Sequence, residues 1–257
     1  MNSLVEVVGV ALPETCGDPV IWVRPDSIGY FGPDLGVALH STSVAVLTVG
    51  VDGPIVLEAP GCAVTTARSV YAPARASHRI IAPESRILLL FLDPAGPRAA
   101  DTAAAMREFA GPFGLGHRRE QALSIACLAG ADPALVVRAA AGAVVAADPR
   151  ITALALAIRS DPGREYRAPA SAAELGLSTS HFLRLFAQST GTTFRRYQQW
   201  ARLRHVVGGL AAGHDLTRSA VEAGFASPSH FSDTFRETFG TSATAVLDAG
   251  VRFDIGA

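Results

Sequence analysis

The chain has 257 residues, 49% of them hydrophobic and 18% charged, with a formal net charge of −1. This excludes a disordered or fibrous chain, and the length has room for two domains that each bury a core. No apolar run reaches about 18 residues and no basic segment leads a hydrophobic one, so the reading is a cytoplasmic protein with neither membrane span nor signal peptide.

The small net charge conceals a split. Residues 1–148 hold ten arginines against fourteen acids, a net of −4, while residues 149–251 hold eleven against eight, a net of +3. An acidic front and a basic back fit a sensor joined to a binder of polyanions. Every basic residue is arginine; the sequence has no lysine. Cys16, Cys62 and Cys127 are far apart and lack CxxC spacing. They predict neither a zinc site nor a disulfide framework and fit a reducing compartment.

From Val5 to Pro94 the signal is strand-like. Val20-Ile-Trp-Val23, Val44-Ala-Val-Leu-Thr-Val49, Ile55-Val-Leu57 and Ile87-Leu-Leu-Leu-Phe-Leu92 are short apolar runs separated by turns such as Asp52-Gly-Pro and Pro60-Gly. Strands at this spacing predict an all-β sandwich or barrel whose interior can hold a small ligand. The stretch resembles the small barrel of the cupin superfamily at Leu39-His40, at Val49-Gly-Val-Asp-Gly-Pro54 and at Tyr71-Ala-Pro-Ala-Arg-Ala-Ser-His78. Metal-binding cupins carry His-x-His in the first motif; here His40 stands alone, with Thr42 where the second histidine would be. Two histidines make a poor metal site, so no metal and no cofactor are expected. Trp22, His40, His78 and Phe91 are the candidate pocket residues, and the barrel is assigned to residues 1–95.

Between residues 96 and 148 the composition turns alanine-rich. Asp101–Phe109, Arg118–Leu128 and Pro133–Ala147 are each predicted helical, broken by Gly111-Pro112 and by Gly130. Their apolar faces cap the barrel or join two subunits, which makes a homodimer an expectation.

Residues 149–251 read as all-helical. Ile151–Arg159 stops at Asp161-Pro-Gly163, and Ser171-Ala-Ala-Glu174 has the spacing of a capping box. A repeat then governs the pattern. Ser178-Thr-Ser-His-Phe182, Phe186 and Gly191 recur 49 positions later as Ser227-Pro-Ser-His-Phe231, Phe235 and Gly240. Each copy follows a short helical run closing at Gly176 or Gly224, and each begins with an N-cap serine. A helix, a glycine turn and a second helix with an open first turn make a helix-turn-helix, here at about 171–191 and 215–240. The helix from about Phe194 to Leu210 is about 25 Å long, enough to hold two reading helices near one turn of B-DNA apart. Gly208-Gly209 inside it are a candidate bend.

Residues 151–248 resemble the DNA-binding domain of the AraC/XylS family of bacterial transcription regulators. The likeness runs through Ala173–Phe186, Gly191, Tyr197, Arg202-Leu203, Ala223–Arg236 and Phe239-Gly240. It implies a two-domain protein, an all-β cupin-like barrel and helical linker followed by an all-α domain with two helix-turn-helix motifs. By that resemblance Ser180, Leu183 and Arg184 face bases from the first unit, and Ser229, Ser232 and Asp233 from the second. Arg195 and Arg196 are candidate phosphate contacts. Two departures stand out: Asp233 occupies a position that is usually basic, and the family's Pro with its following Tyr-Arg is missing near Ala243–Val246, which leaves the final helix open. The function implied is a non-enzymatic, sequence-specific regulator that binds a double-stranded DNA operator and answers to a small-molecule effector, with RNA polymerase a possible further partner. Two alternatives are a cupin metalloenzyme with a DNA-binding tail and a ligand-independent regulator whose barrel only dimerises.

Overall fold

The structure is a computed structural model that describes residues 19–24, 26–83, 85–94, 98–131 and 148–255. The described strands are β1 (Val20–Arg24), β2 (Ser27–Pro33), β3 (Ala45–Gly50), β4 (Ile55–Glu58), β5 (Thr65–Ala67), β6 (Ser69–Ala72), β7 (Arg79–Ile81), β8 (Arg86–Leu92), β9 (Met106–Ala110), β10 (Phe113–His117) and β11 (Arg252–Ile255). They form an eight-stranded sheet in the order β11-β1-β2-β8-β3-β6-β10-β9 and a three-stranded sheet β5-β4-β7.

Period-two alternation sorts the larger sheet into two faces. In β8, Ile87, Leu89 and Phe91 join one apolar cluster, and Leu88, Leu90 and Leu92 join another. The pattern repeats in β3, where Val46 takes the first face and Ala45, Leu47 and Val49 the second. The first face meets Ile55, Leu57 and Ile80 of the small sheet and continues into the helical domain. The second is covered by Leu123 and Cys127 of α2 (Glu120–Leu128). Buried on both sides, the central strands read as unbroken apolar runs.

The segment after the barrel departs from the helical expectation for Asp101–Phe109. Helix α1 (Arg98–Ala104) ends there, and Met106–Ala110 pairs with β10 around a turn at Gly111, whose φ is +58°. Alanine propensity carries the helix only to Ala104; beyond it, ladder pairing and the burial of Met106 under the sheet outweigh local preference. The predicted helix at Pro133–Ala147 lies outside the described residues.

The helical domain comprises α3 (Pro149–Ser160), α4 (Ala168–Glu174), α5 (Thr179–Thr190), α6 (Phe194–Ala211), α7 (Leu216–Glu222), α8 (Pro228–Phe239) and α9 (Ala243–Asp248). The start of α4 corrects the capping-box reading: its N-cap is Arg167, and Ser171 is a buried residue of the helix. Pro169, in the first turn, sets φ for the earlier start. The other caps are as the sequence predicts. Ser178 accepts from His181 N at 3.3 Å, Asp215 from Arg218 N at 2.9 Å and Ser227 from His230 N at 3.1 Å. A final helix does form at 243–248, capped by Ser242.

Beyond α9 the chain turns at Gly250 and adds β11 in parallel to β1, with Val20 opposite Arg252 and Val23 opposite Ile255. The helical domain is therefore tied back into the sheet of the first.

Candidate functional site

Each helix-turn-helix is built around its own set of rings. In the first, Phe182 and Phe186 of α5 meet Phe194 edge-on, with centroids 5.0 and 5.2 Å apart, and Phe186 meets Tyr197 at 5.5 Å. In the second, Phe231 packs on Phe225 at 5.3 Å and on Phe235 at 5.7 Å. Burying each ring stabilises the unit by about 2–3 kcal/mol. With the phenylalanines turned inward, the opposite faces of α5 and α8 are left to solvent. Ser180, Leu183 and Arg184 are exposed on the first, and Ser229, Ser232 and Asp233 on the second. Leu183, 40% exposed, is an apolar side chain offered to water where a thymine methyl could cover it. Asp233 has Arg236 of its own helix 4.0 Å away, a solvent-exposed pair of small energetic value.

The connecting helix α6 spans 18 residues without interruption and is about 27 Å long at 1.5 Å per residue. Its two candidate phosphate contacts diverge. Arg195 is exposed. Arg196 is turned toward the barrel, donating to Thr42 O at 3.3 Å and Ser41 Oγ at 3.4 Å. That placement puts its guanidinium in the seam between the domains.

The pocket candidates also separate. His40, His78 and Phe91 line one cavity, together with Thr42, Thr48 and Phe239. Trp22 does not belong with them: it packs in the cluster on the other face of the sheet, against Gly29. Its neighbour Val23 faces the inner cluster, so alternation sends Trp22 outward. The two histidines form an antiparallel bridge, His40 N to His78 O at 3.1 Å and His78 N to His40 O at 2.9 Å, with ring centroids 4.9 Å apart. Burial holds His78 down at about 4 and lowers His40 as well, so both rings are neutral near pH 7. Among the described residues no group of three or more His, Cys, Asp or Glu side chains could hold a metal ion. Of the cysteines, Cys127 is buried and its thiol is pushed up to about 12 by burial, while Cys62 is half-buried.

The sequence did not single out Phe239 as a cavity residue. It extends the four-residue spacing of Phe231 and Phe235 and so reads as more of the same core. In the fold it lies one turn beyond that core and meets Phe91 of β8 edge-on at 5.2 Å. Gly240 follows at φ +70°, and a Cβ there would come within 2.7 Å of both Ala38 O and His40 Nδ1. Helix termination and close approach both require glycine at that position. Ala38 N donates to Gly240 O at 2.9 Å, so the end of the second reading helix rests on the mouth of the barrel.

Other ties cross the same seam. Thr192 Oγ1 donates to Ser43 O at 2.8 Å and Arg204 to Arg24 O at 2.6 Å. Arg159 pairs with Asp93, itself 1% exposed, at 2.9 Å. Arg24 pairs with Asp254 of β11 at 3.0 Å.

Residues 171–249 match the family model described as a helix-turn-helix domain. No curated protein matches the chain. Among solved structures, the chain is similar to an apo variant of ToxT from Vibrio cholerae strain SCE256, at 13% identity with a TM-score of 0.58, over 90% of this chain and 96% of that one. It is similar also to wild-type ToxT of the same strain with an unsaturated fatty acid bound, at 14% identity and a TM-score of 0.56, over 90% and 99% of the two chains. No helix among the described residues is long and apolar enough to cross a membrane. The protein thus carries a helix-turn-helix domain at residues 171–249, behind a sheet-rich domain, in the two-domain fold that ToxT also has.

Proposed function

We propose that the protein is a transcription regulator that reads an operator with both α5 and α8 and is controlled by a small molecule held in the barrel. The observation that carries this reading is the position of Phe239, which ends the second reading helix and lines the cavity beside His40, His78 and Phe91. A molecule entering that cavity meets Phe239 directly and so acts on the posture of α8 relative to α5. The fatty-acid-bound form of ToxT supports a chamber in this fold. Ser180, Leu183, Arg184, Ser229, Ser232 and Asp233 are the proposed base-facing residues, with Arg195 at the phosphates.

Two chains are proposed to pair through the segment following the barrel, where Ile125 and Leu128 of α2 are 59% and 51% exposed on one side of the helix. Symmetric half-sites in the operator would follow from that pairing.

The cavity's volume, about 40 Å³, favours a second reading in which the barrel is a scaffold without a ligand. Selecting bound sites from random DNA with the full chain, then repeating the selection with Phe239→Ala, separates the two. Control through the barrel predicts a changed site preference or half-site spacing in the variant. An unchanged profile favours the scaffold, and no enriched sequence at all would remove the operator-reading proposal.

A further inference from the structure

The barrel cavity has a chemical character that narrows what it can hold. The rings of His40 and His78 each place Nδ1 2.9 Å from a carbonyl oxygen, of Ala38 and Ala76 respectively. A carbonyl oxygen only accepts, so Nδ1 carries the proton in both rings, and each neutral ring keeps a lone pair on Nε2. His78 is 2% exposed, and among the described residues none hydrogen-bonds its Nε2. The ring lines the cavity, which leaves that lone pair to whatever the cavity contains.

Two other polar groups on the wall are already engaged; Nε2 of His40 and the Thr48 hydroxyl remain, neither hydrogen-bonded among the described residues. Thr42 Oγ1 donates to Val44 O at 2.6 Å. Asp34 accepts from Gly36 N with one oxygen, at 3.0 Å, and from Ala82 N with the other, at 2.8 Å. No arginine lines the cavity among the described residues, and the sequence has no lysine. The remaining lining is mostly aliphatic and aromatic, Val46, Ile87, Phe91 and Phe239 among it. A carboxylate or phosphate entering here would find no cation and would lose its hydration uncompensated. An apolar molecule with no donor would leave the Nε2 lone pair of His78 unsatisfied.

We propose that the cavity is the seat of a small uncharged molecule, apolar over most of its surface, with one hydroxyl that donates to Nε2 of His78. The proposal rests on reading the barrel as a ligand chamber. Its size limit follows from Phe239. An apolar cavity that takes up benzene has a volume of about 150 Å³, and the present one has about 40 Å³. The Phe239 side chain is itself a phenyl ring, so its departure opens room for a ring of that size. The ligand thus takes the place of Phe239, and occupancy frees the end of α8 from the barrel.

Three probes share one ring: phenol, benzene and benzoate. Each is titrated calorimetrically into the full chain and into the Phe239→Ala chain. Phenol is expected to bind about tenfold more tightly than benzene, the worth of one buried hydrogen bond. Benzoate is expected not to bind, and both neutral probes should bind more tightly to Phe239→Ala. His78→Phe should equalise phenol and benzene, and His78→Gln, whose amide oxygen accepts, should restore part of the preference. Benzoate binding as tightly as phenol, or phenol binding no better than benzene to either chain, overturns the assigned class while leaving the chamber in place. These comparisons need no histidine variant, so they decide the matter even if both His78 substitutions misfold. If none of the three probes binds either chain, the chamber itself is refuted.

Discussion

Arg184 and Asp233 occupy equivalent positions in the two copies of the repeat, one turn and a half into each reading helix, and both are exposed. An arginine there can pair with guanine in the major groove, while a carboxylate repels the phosphates on either side and suits only a cytosine amine. Arg184→Ala should therefore weaken operator binding by about tenfold to a hundredfold, and Asp233→Ala should leave it unchanged or tighten it, in gel-shift titrations at fixed salt. Equal losses would show that the two units contribute alike. His78 makes a second residue-scale prediction. Burial holds the folded imidazole at about 4, below the ordinary histidine value of 6.5, so the unfolded chain binds the proton more readily than the folded one. The resulting stability is complete above pH 6.5 and is lost as pH falls toward 4, on the order of 3 kcal/mol in all. Urea midpoints measured from pH 7.5 to 4.5 should fall on the acid side, and less steeply in His78→Phe. A parallel decline in both proteins would place the effect elsewhere.

At the scale of elements, the connecting helix α6 answers a question that its two adjacent glycines raise. It runs unbroken from Phe194 to Ala211, and the two glycines have different surroundings. A Cβ on Gly208 would meet nothing within 4 Å, whereas one on Gly209 would come within 2.6 Å of Ser219 Oγ, a hydroxyl held by its bond to Asp215 O. Gly208→Ala should stabilise the protein by up to about 1 kcal/mol through helix propensity. Gly209→Ala should destabilise it by about 1–3 kcal/mol, because α7 must shift to make room. Chemical denaturation of the two variants tests the opposed signs; a gain in both would mean that α6 and α7 are not packed this closely. Gly209 is thus a contact glycine, which the sequence alone shows only as a pair of weak helix formers.

For the whole molecule, the barrel and the helical domain share one apolar cluster and a seam of polar ties. Strand β11 closes that arrangement by covering the outer edge of β1. Deleting residues 252–257 removes the parallel pair and the Arg24–Asp254 bridge and leaves β1 as a bare edge. Exposed edges recruit other strands, so the truncated chain should self-associate in sedimentation experiments and unfold at a lower temperature than the full chain. Unchanged sedimentation and melting would mean that β11 contributes nothing to the assembly of the two domains.

The sequence by itself determined α5 and α8, because their signals are local: a serine N-cap, phenylalanines on one face and a glycine at the C-terminal end lie within fourteen residues of one another, with a proline in the first turn of α8 as well. It showed four of the barrel strands as well, the apolar runs that became β1, β3, β4 and β8, but not β2 or β5 to β7, whose residues carry weaker apolar runs. Which face holds the cavity was not legible, since that depends on where the small sheet packs; Phe91 lies inside and Trp22 outside for that reason alone. The strand at Met106–Ala110, the seating of Arg196 on Thr42 and the pairing of β11 with β1 were decided by tertiary structure. The last two are contacts between residues far apart in the chain, whose energy exists only once the two domains have met, while the strand at Met106–Ala110 is a local hairpin that forms because β10 is itself held in the sheet by β6.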